Sequence, residues 1–173
     1  MKRIGLLVAL ITLGSLLGCV PRAMKAPQAA NGKPISLCLV MDRGIHAGMN
    51  DKAKEEYNTV GNFMAIDFIH MANKAGYQAS LLADAKNFHA APSAYLLKVR
   101  IRKYNPGSKA ARILIGFGAG AVSLDTHYEL SANGKTTILS KNDGVGSSVD
   151  WPKVVMKLNQ KMLDTISTTL AKN

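Results

Sequence analysis

The chain has 173 residues, of which 22 are Lys or Arg and 11 are Asp or Glu, so its formal net charge is +11. With 47% hydrophobic and 6% aromatic residues, the composition is typical of a globular protein and excludes an intrinsically disordered chain. The excess of positive charge either favours anionic neighbours, such as phosphate-bearing lipid or an acidic protein, or serves only solubility.

The amino-terminal segment has the order of a secretory signal. A basic start at Lys2 and Arg3 precedes an apolar run over residues 4–17, and the small residue Gly18 follows. The apolar run is 14 residues long, whereas a membrane-spanning helix needs roughly 20. We therefore predict a signal peptide over residues 1–18. A retained transmembrane helix, or an ordinary signal peptide followed by a coincidental cysteine, are the alternatives.

The end of this signal, Leu16-Leu17-Gly18-Cys19, resembles the lipobox of bacterial lipoproteins. The resemblance implies cleavage before Cys19 and the attachment of fatty acyl chains, such as palmitate, to that residue. Each buried methylene contributes about 0.8 kcal/mol of membrane affinity, so two or more chains anchor a protein stably. Val20 rather than Asp follows the cysteine, and by resemblance this favours the outer membrane, with the protein body facing the periplasm.

The remaining chain divides into a tether and one domain. Residues 19–33 contain the lipidated cysteine and a Pro-, Ala- and Asn-containing segment without apolar periodicity, which predicts a flexible tether. Residues 34–173 have the length of a single globular domain. Once Cys19 is acylated, Cys38 has no internal disulfide partner, and its apolar surroundings predict an inert thiol in the core.

The first half of the domain is predicted to form a strand, a helix and a second strand. The apolar run 35–41 predicts the first strand, and 77–83 predicts the second. Between them, an apolar stripe with spacings of three and four residues predicts a helix over 51–75. Asn50 or Asp51 is suited to cap the start of this helix, and Gly76 its end. Gly61, in mid-helix, indicates close packing.

The second half is predicted to form three strands and a helix. Residues 95–104 and 121–130 alternate apolar and polar residues, as half-buried strands do. Asn133-Gly134 is typical of a type I′ hairpin turn, so we expect 135–141 to return antiparallel. Residues 142–148 are rich in Gly and Ser and are predicted to be a loop. Asp150 is suited to cap a closing helix, whose inner stripe is Trp151, Val155, Leu158, Met162 and Ile166.

This order of elements predicts an α+β fold: a mixed, largely antiparallel sheet with two long helices packed on one face. The segments Tyr95–Ile101, Pro106–Arg112 and Gly116–Gly120 also resemble an uncharacterised family of small bacterial lipoproteins, which pairs a PGSxAAR segment with a GFGAG segment. That family has no assigned catalytic residues. The resemblance implies a fold similar to the amino-terminal domain of TolB, but it implies no reaction.

Residue patterns for catalysis or metal binding are weak. The glycines of 116–120 precede a strand and lack the spacing of a nucleotide-binding loop, so a bulged strand entry is the structural interpretation. None of the four histidines has a short metal-ligand spacing, although Asp125 and His127 share a strand face. No Ser elbow or Cys–His signature is present. We expect no metal, no cofactor and no enzymatic activity.

A basic strand face is the best candidate binding surface. It comprises Lys98, Arg100, Arg102 and Arg112, with Phe117 from the glycine-rich segment. The uncharged run 113–122 would suit a subunit contact or a membrane-surface contact if it is exposed. Asp125 and Glu129 are expected to pair with these basic residues across the sheet, and a merely solvated face is the alternative. Few aromatic residues accompany the charges, which argues against a nucleic-acid partner.

These observations favour a non-enzymatic binding or assembly component of the cell envelope. Its lipid anchor would hold it at a membrane, and its partners would be an envelope protein or another copy of itself. A binding module for an anionic small ligand or glycan on the same basic face is the alternative. A hydrolase that uses His127 and Asp125 is a third hypothesis.

Overall fold

The computed structural model describes residues 25–29, 32–108, 120–148 and 150–172. The elements in chain order are β1 (Ser36–Asp42), α1 (Asp51–Ala75), β2 (Gln78–Leu82), a short 3-10 helix (Ala85–Asn87), β3 (Ala94–Asn105), β4 (Val122–Ala132), β5 (Thr136–Ser147) and α2 (Trp151–Leu170). Among the described residues, no helix is long and apolar enough to cross a membrane.

The five strands form one mixed sheet in the order β2-β1-β3-β4-β5. β1 pairs in parallel with both β2 and β3, and the antiparallel pairs β3–β4 and β4–β5 are longer. α1 lies against β1 and β2, α2 lies against β4 and β5, and the two helices pack on each other. The predicted α+β architecture, with two long helices on one face of a mixed sheet, is therefore confirmed.

The ends of α1 are fixed by the predicted residues. The Asn50 side chain accepts a hydrogen bond from the Ala53 N–H at 2.8 Å, so Asn50 rather than Asp51 is the cap. Gly76 ends the helix in the left-handed conformation, at φ 106°, which glycine adopts without steric cost. A Cβ at Gly61 would lie 2.7 Å from Cγ of Arg43, which confirms the predicted close packing.

α2 begins at Trp151, where the Asp150 side chain accepts a hydrogen bond from the Lys153 N–H at 3.3 Å. The predicted inner stripe is buried from Val155 to Ile166, and Trp151 at its start is half-buried. The Trp151 ring packs edge-on against Phe63 of α1, with ring centroids 5.2 Å apart. Because apolar area removed from water stabilises a fold by roughly 25 cal/mol per Å², this interhelical stripe is a main source of stability.

The core lies between the helices and one face of the sheet. Alternate residues of the strands point into it because successive side chains of a strand face opposite sides. The fully buried apolar members from the sheet are Leu37, Leu39, Leu97, Val99, Ile101, Val122, Leu124, Tyr128 and Leu130. The alternation predicted for β3 and β4 is confirmed.

The predicted hairpin between β4 and β5 is confirmed. Asn133 and Gly134 both have positive φ, at 52° and 68°, as the two central residues of a type I′ turn require. The ring of Phe88, from the connection between β2 and β3, packs against Gly134, where a Cβ would lie 2.8 Å from the ring. This contact joins the β2–β3 connection to the hairpin.

The prediction of a loop over 142–148 is wrong, because β5 continues to Ser147 and pairs with β4 along its whole length. The glycines fit the strand for a steric reason. A Cβ at Gly144 would collide with Oδ1 of Asp125 on the neighbouring strand, so glycine allows close strand approach here. Backbone pairing with a long partner strand outweighed the low strand propensity of the segment.

Candidate functional site

The sheet face opposite α1 and α2 carries most of the polar side chains of the strands. We call it the open face, and the pairing register arranges it in rows. One row runs from Val40 through Lys98 and Glu129 to Ser140, and the next from Asp42 through Arg100 and His127 to Asn142. Both rows cross the four strands β1, β3, β4 and β5, so charges that are far apart in sequence become neighbours.

The structure brings together three of the predicted binding residues. Lys98, Arg100 and Arg102 are exposed along β3, and Arg100 and Arg102 line one cavity. The other two predicted residues, Arg112 and Phe117, lie outside the described residues, as does the lipidation residue Cys19. Most of the uncharged run 113–122 also lies outside them. The binding role of these residues stays a prediction.

The expected pairing of the basic residues with Asp125 and Glu129 is wrong for both arginines. Nε of Arg100 lies 3.2 Å from Oδ2 of Asp42 on β1, and Nη1 of Arg102 donates to Oδ1 of Asn142 on β5 at 3.0 Å. The physical reason is topology. The parallel neighbour β1 places a carboxylate beside Arg100, and a bulge in β3 between residues 101 and 103 displaces Arg102 from regular register.

His127 lies on the open face, on β4, with an oxygen atom beside each ring nitrogen. Nδ1 is 3.0 Å from Oδ1 of Asn142, and Nε2 is 3.2 Å from Oε1 of Glu129. Arg102 can only donate, so its bond to Asn142 fixes which amide atom of Asn142 is the acceptor. Both ring nitrogens of His127 therefore face acceptors, and only the protonated ring can donate to both.

A cavity of about 420 Å³ opens on this part of the face. Its lining is Gly44, His46, Arg100, Ile101, Arg102, His127 and Asn142. Ile101 is only 1% exposed because its side chain points into the core, so polar side chains and backbone form the walls. A smaller cavity of about 230 Å³ shares Arg100 and His127 and adds Lys98.

A second polar cluster lies on the inner face, under α2, and is centred on Asp143. The Asp143 side chain is 5% exposed and pairs with Lys141, at 3.2 Å, and with Lys161 of α2. The Tyr128 hydroxyl donates to Oδ2 of Asp143 at 2.9 Å. Because Asp143 falls in the segment predicted to be a loop, no sequence signal pointed to this cluster.

The electrostatics of this cluster are coupled. Burial alone would raise the pKa of Asp143, but the hydrogen bonds from Lys161, Tyr128 and Lys141 outweigh it and hold that pKa below its usual value. Burial raises the pKa of Tyr128, and Asp143 raises it further. The cluster therefore stabilises the contact of β4 and β5 with α2 as a carboxylate with cationic partners.

Two further sequence predictions concern metal binding and Cys38. No cluster of three or more His, Cys, Asp or Glu able to hold a metal occurs among the described residues. Cys38 is only partly buried, so its placement in the core is wrong. It points to the open face because Leu37 and Leu39 occupy the inner face, and Ser80 Oγ lies 3.6 Å from its sulfur.

Residues 45–171 match the family described as a domain of unknown function, DUF4410. The match covers more than half of the chain, and the protein belongs to this family. No curated protein matches the sequence.

Several solved structures have a similar fold at low sequence identity. A PelC variant from Paraburkholderia phytofirmans, described as a dodecamer, superposes with a TM-score of 0.51 at 10% identity, over 83% of this chain and 95% of that one. The hypothetical protein CT253 from Chlamydia trachomatis superposes with a TM-score of 0.48 at 8% identity, over 81% of this chain and 99% of that one. The lipoprotein GNA1162 from Neisseria meningitidis superposes with a TM-score of 0.44 at 10% identity, over 78% of this chain and 99% of that one.

Proposed function

We propose that this protein is a lipid-anchored component of the bacterial cell envelope that acts by binding or assembly and not by catalysis. The observation that carries the proposal is the open face. In the described part of the chain no helix covers Lys98, Arg100 and Arg102, which are exposed there and present positive charge from one strand. Exposed cationic side chains fit a contact with an anionic partner surface, because complementary charge steers association and fixes register.

The anchor is proposed to be Cys19, at the outer membrane and facing the periplasm. The order of basic start, apolar run, Gly18 and Cys19 supports it. An acylated Cys19 would be joined by the tether of residues 19–33 to the domain, so the domain would stay close to the membrane surface while the open face remained free to bind.

A second copy of the chain is the first partner to test. The PelC variant, whose fold is similar, is described as a dodecamer, which supports the proposal that copies of this chain associate. The chain's high positive charge requires that such an interface bring Arg100 or Arg102 against acidic residues, since like charges at a contact cost several kcal/mol.

The experiment is crosslinking in intact cells, followed by identification of the adducts. Arg100→Glu combined with Arg102→Glu should abolish the specific adducts, because the charge of the open face is reversed. The matched control, Lys52→Glu combined with Lys135→Glu, makes the same change in net charge at exposed positions elsewhere and should keep them. Equal loss in both variants, or no loss in either, would contradict the proposed surface.

A further inference from the structure

The 420 Å³ cavity of the open face has the donors of an anion site. Arg100 and Arg102, two residues apart on β3, line it and supply the donors, and His127 lines it from β4 with both ring nitrogens already beside Asn142 and Glu129. None of the described residues that line it is acidic. The carboxylates nearby, Asp42 and Glu129, contact Arg100 and His127 from beside the cavity.

Those side chains are held in place before any ligand arrives. Nε of Arg100 lies 3.2 Å from Oδ2 of Asp42, and the Arg100 side chain is 66% exposed. Asn142 engages Nη1 of Arg102, and the same amide oxygen lies 3.0 Å from His127 Nδ1. Because the neighbours fix these side chains, less conformational entropy is lost when a ligand binds than at a surface of free side chains.

We propose that this cavity is a binding site for a phosphate-type oxyanion, with Arg100 and Arg102 as its primary ligands. Guanidinium groups match the geometry of phosphate oxygens and bind them through paired hydrogen bonds. The cavity has no Phe, Tyr or Trp side chain in its described lining, so it offers no stacking platform for a nucleobase. The ligand class is therefore a phosphate ester with a small polar substituent.

His127 borders the site with both ring nitrogens engaged. Its ring faces Glu129 on its own strand and Asn142 on β5, with Arg100, paired to Asp42, on β3. His46 and Arg102 share its cavity.

The test is calorimetric titration of the purified full chain with three probes: inorganic phosphate, glycerol phosphate and the diester headgroup glycerophosphoglycerol. Saturable binding that Arg102→Gln weakens roughly ten- to hundredfold, as loss of a charge-assisted hydrogen bond implies, is the expected result. Lys52→Gln, an exposed change on α1, should alter affinity less than about twofold. Preference for the monoester indicates a soluble phosphate ester, and preference for the diester indicates a lipid headgroup.

A further arm uses sulfate as a second tetrahedral oxyanion, which the native chain should also bind saturably. Arg102→Lys, which retains charge but loses the planar fork, should bind less tightly than the native chain. No saturable binding by the native chain, or equal binding by Arg102→Gln, would overturn the site.

The oxyanion site and the assembly surface share Arg100 and Arg102, so the charge-reversal variant changes both. The native chain separates them: saturable oxyanion binding by the purified chain without specific adducts in cells supports the site alone, and specific adducts without oxyanion binding support the assembly role alone.

Discussion

Replacing Asp143 by Asn tests whether the polar cluster centred on Asp143 stabilises the fold. The substitution keeps the shape of the side chain but removes the charge that Lys141 and Lys161 contact. Breaking a fully buried ion pair costs roughly 3–5 kcal/mol, whereas exposed pairs contribute less than about 1 kcal/mol. The carboxylate is 5% exposed but the lysines are 39% and 49% exposed, so we expect an intermediate loss of about 2 kcal/mol.

The loss can be measured by urea unfolding at pH 7, followed by the fluorescence of Trp151, the only tryptophan of the chain. For a domain of this size, about 2 kcal/mol corresponds to a fall in melting temperature of roughly 4–8 °C. Asp84→Asn is the matched control, since Asp84 is exposed and an amide can retain its hydrogen bond to the Lys86 N–H. It should change stability by less than about 0.5 kcal/mol.

The dependence on pH identifies the cause of the loss. Because the folded-state pKa of Asp143 is depressed, its carboxylate stabilises the fold fully above the unfolded value of about 3.9 and loses this effect as the pH falls through the lower folded value. The difference between native chain and Asp143→Asn should therefore be constant from neutral pH down to about pH 5 and shrink in stronger acid. A difference that persists unchanged in acid, or is negligible at pH 7, would refute the reasoning.

Two further predictions concern a glycine and the anchor. Gly44 has φ 70°, and an added Cβ would collide with the carbonyl oxygen of Ile101, so Gly44→Ala should lower the free energy of unfolding by about 2 kcal/mol or more. Gly32 has φ 69° with no atom within 4 Å of an added Cβ, so Gly32→Ala should lose only the free energy of holding Ala at positive φ. Equal losses in the two variants would contradict the proposed clash. Cys19→Ser should release the protein from the membrane fraction, and mass spectrometry should find acyl chains only on the native terminus; a serine form that stays with membranes would contradict the anchor.

Local signals predicted the helices and hairpin well because the causes are local. Asn50 and Gly76 act within one turn of α1, and the Asn133-Gly134 turn requires only its own backbone angles. An apolar stripe on a helix has to face a core. These features depend on nearest neighbours in the chain, and they appear in the sequence at fixed spacings.

The predictions that were wrong concern contacts and faces that are set by the order of the strands in the sheet. The pairing of β1 beside β3 brings Asp42 to Arg100 over 58 residues of chain, and no spacing rule encodes that neighbour. The side of the sheet to which Cys38 points is likewise set by the whole layer of helices. The strand from Asn142 onward is stabilised by its ladder with β4, so the turn-forming residues Asn and Gly gave the wrong prediction there.

The part of the candidate site that follows from local sequence was predicted, and the part that depends on strand pairing was not. The basic alternation of β3 identified Lys98, Arg100 and Arg102, because period-two charge on a strand shows in the sequence. His127 was noted, but its partners Asn142 and Glu129 lie on β5 and two residues along β4. Their common row follows only from the antiparallel register.

Site-specific photocrosslinking in living cells tests the central claim most directly. A photoreactive residue placed at Ser140, exposed on the open face beside Glu129, is compared with one at Asn58, exposed on α1. We predict a discrete adduct with an envelope protein or a second copy from position 140 only, which Arg100→Glu removes. The same adducts from both positions, or none from position 140, would contradict a binding role for the open face.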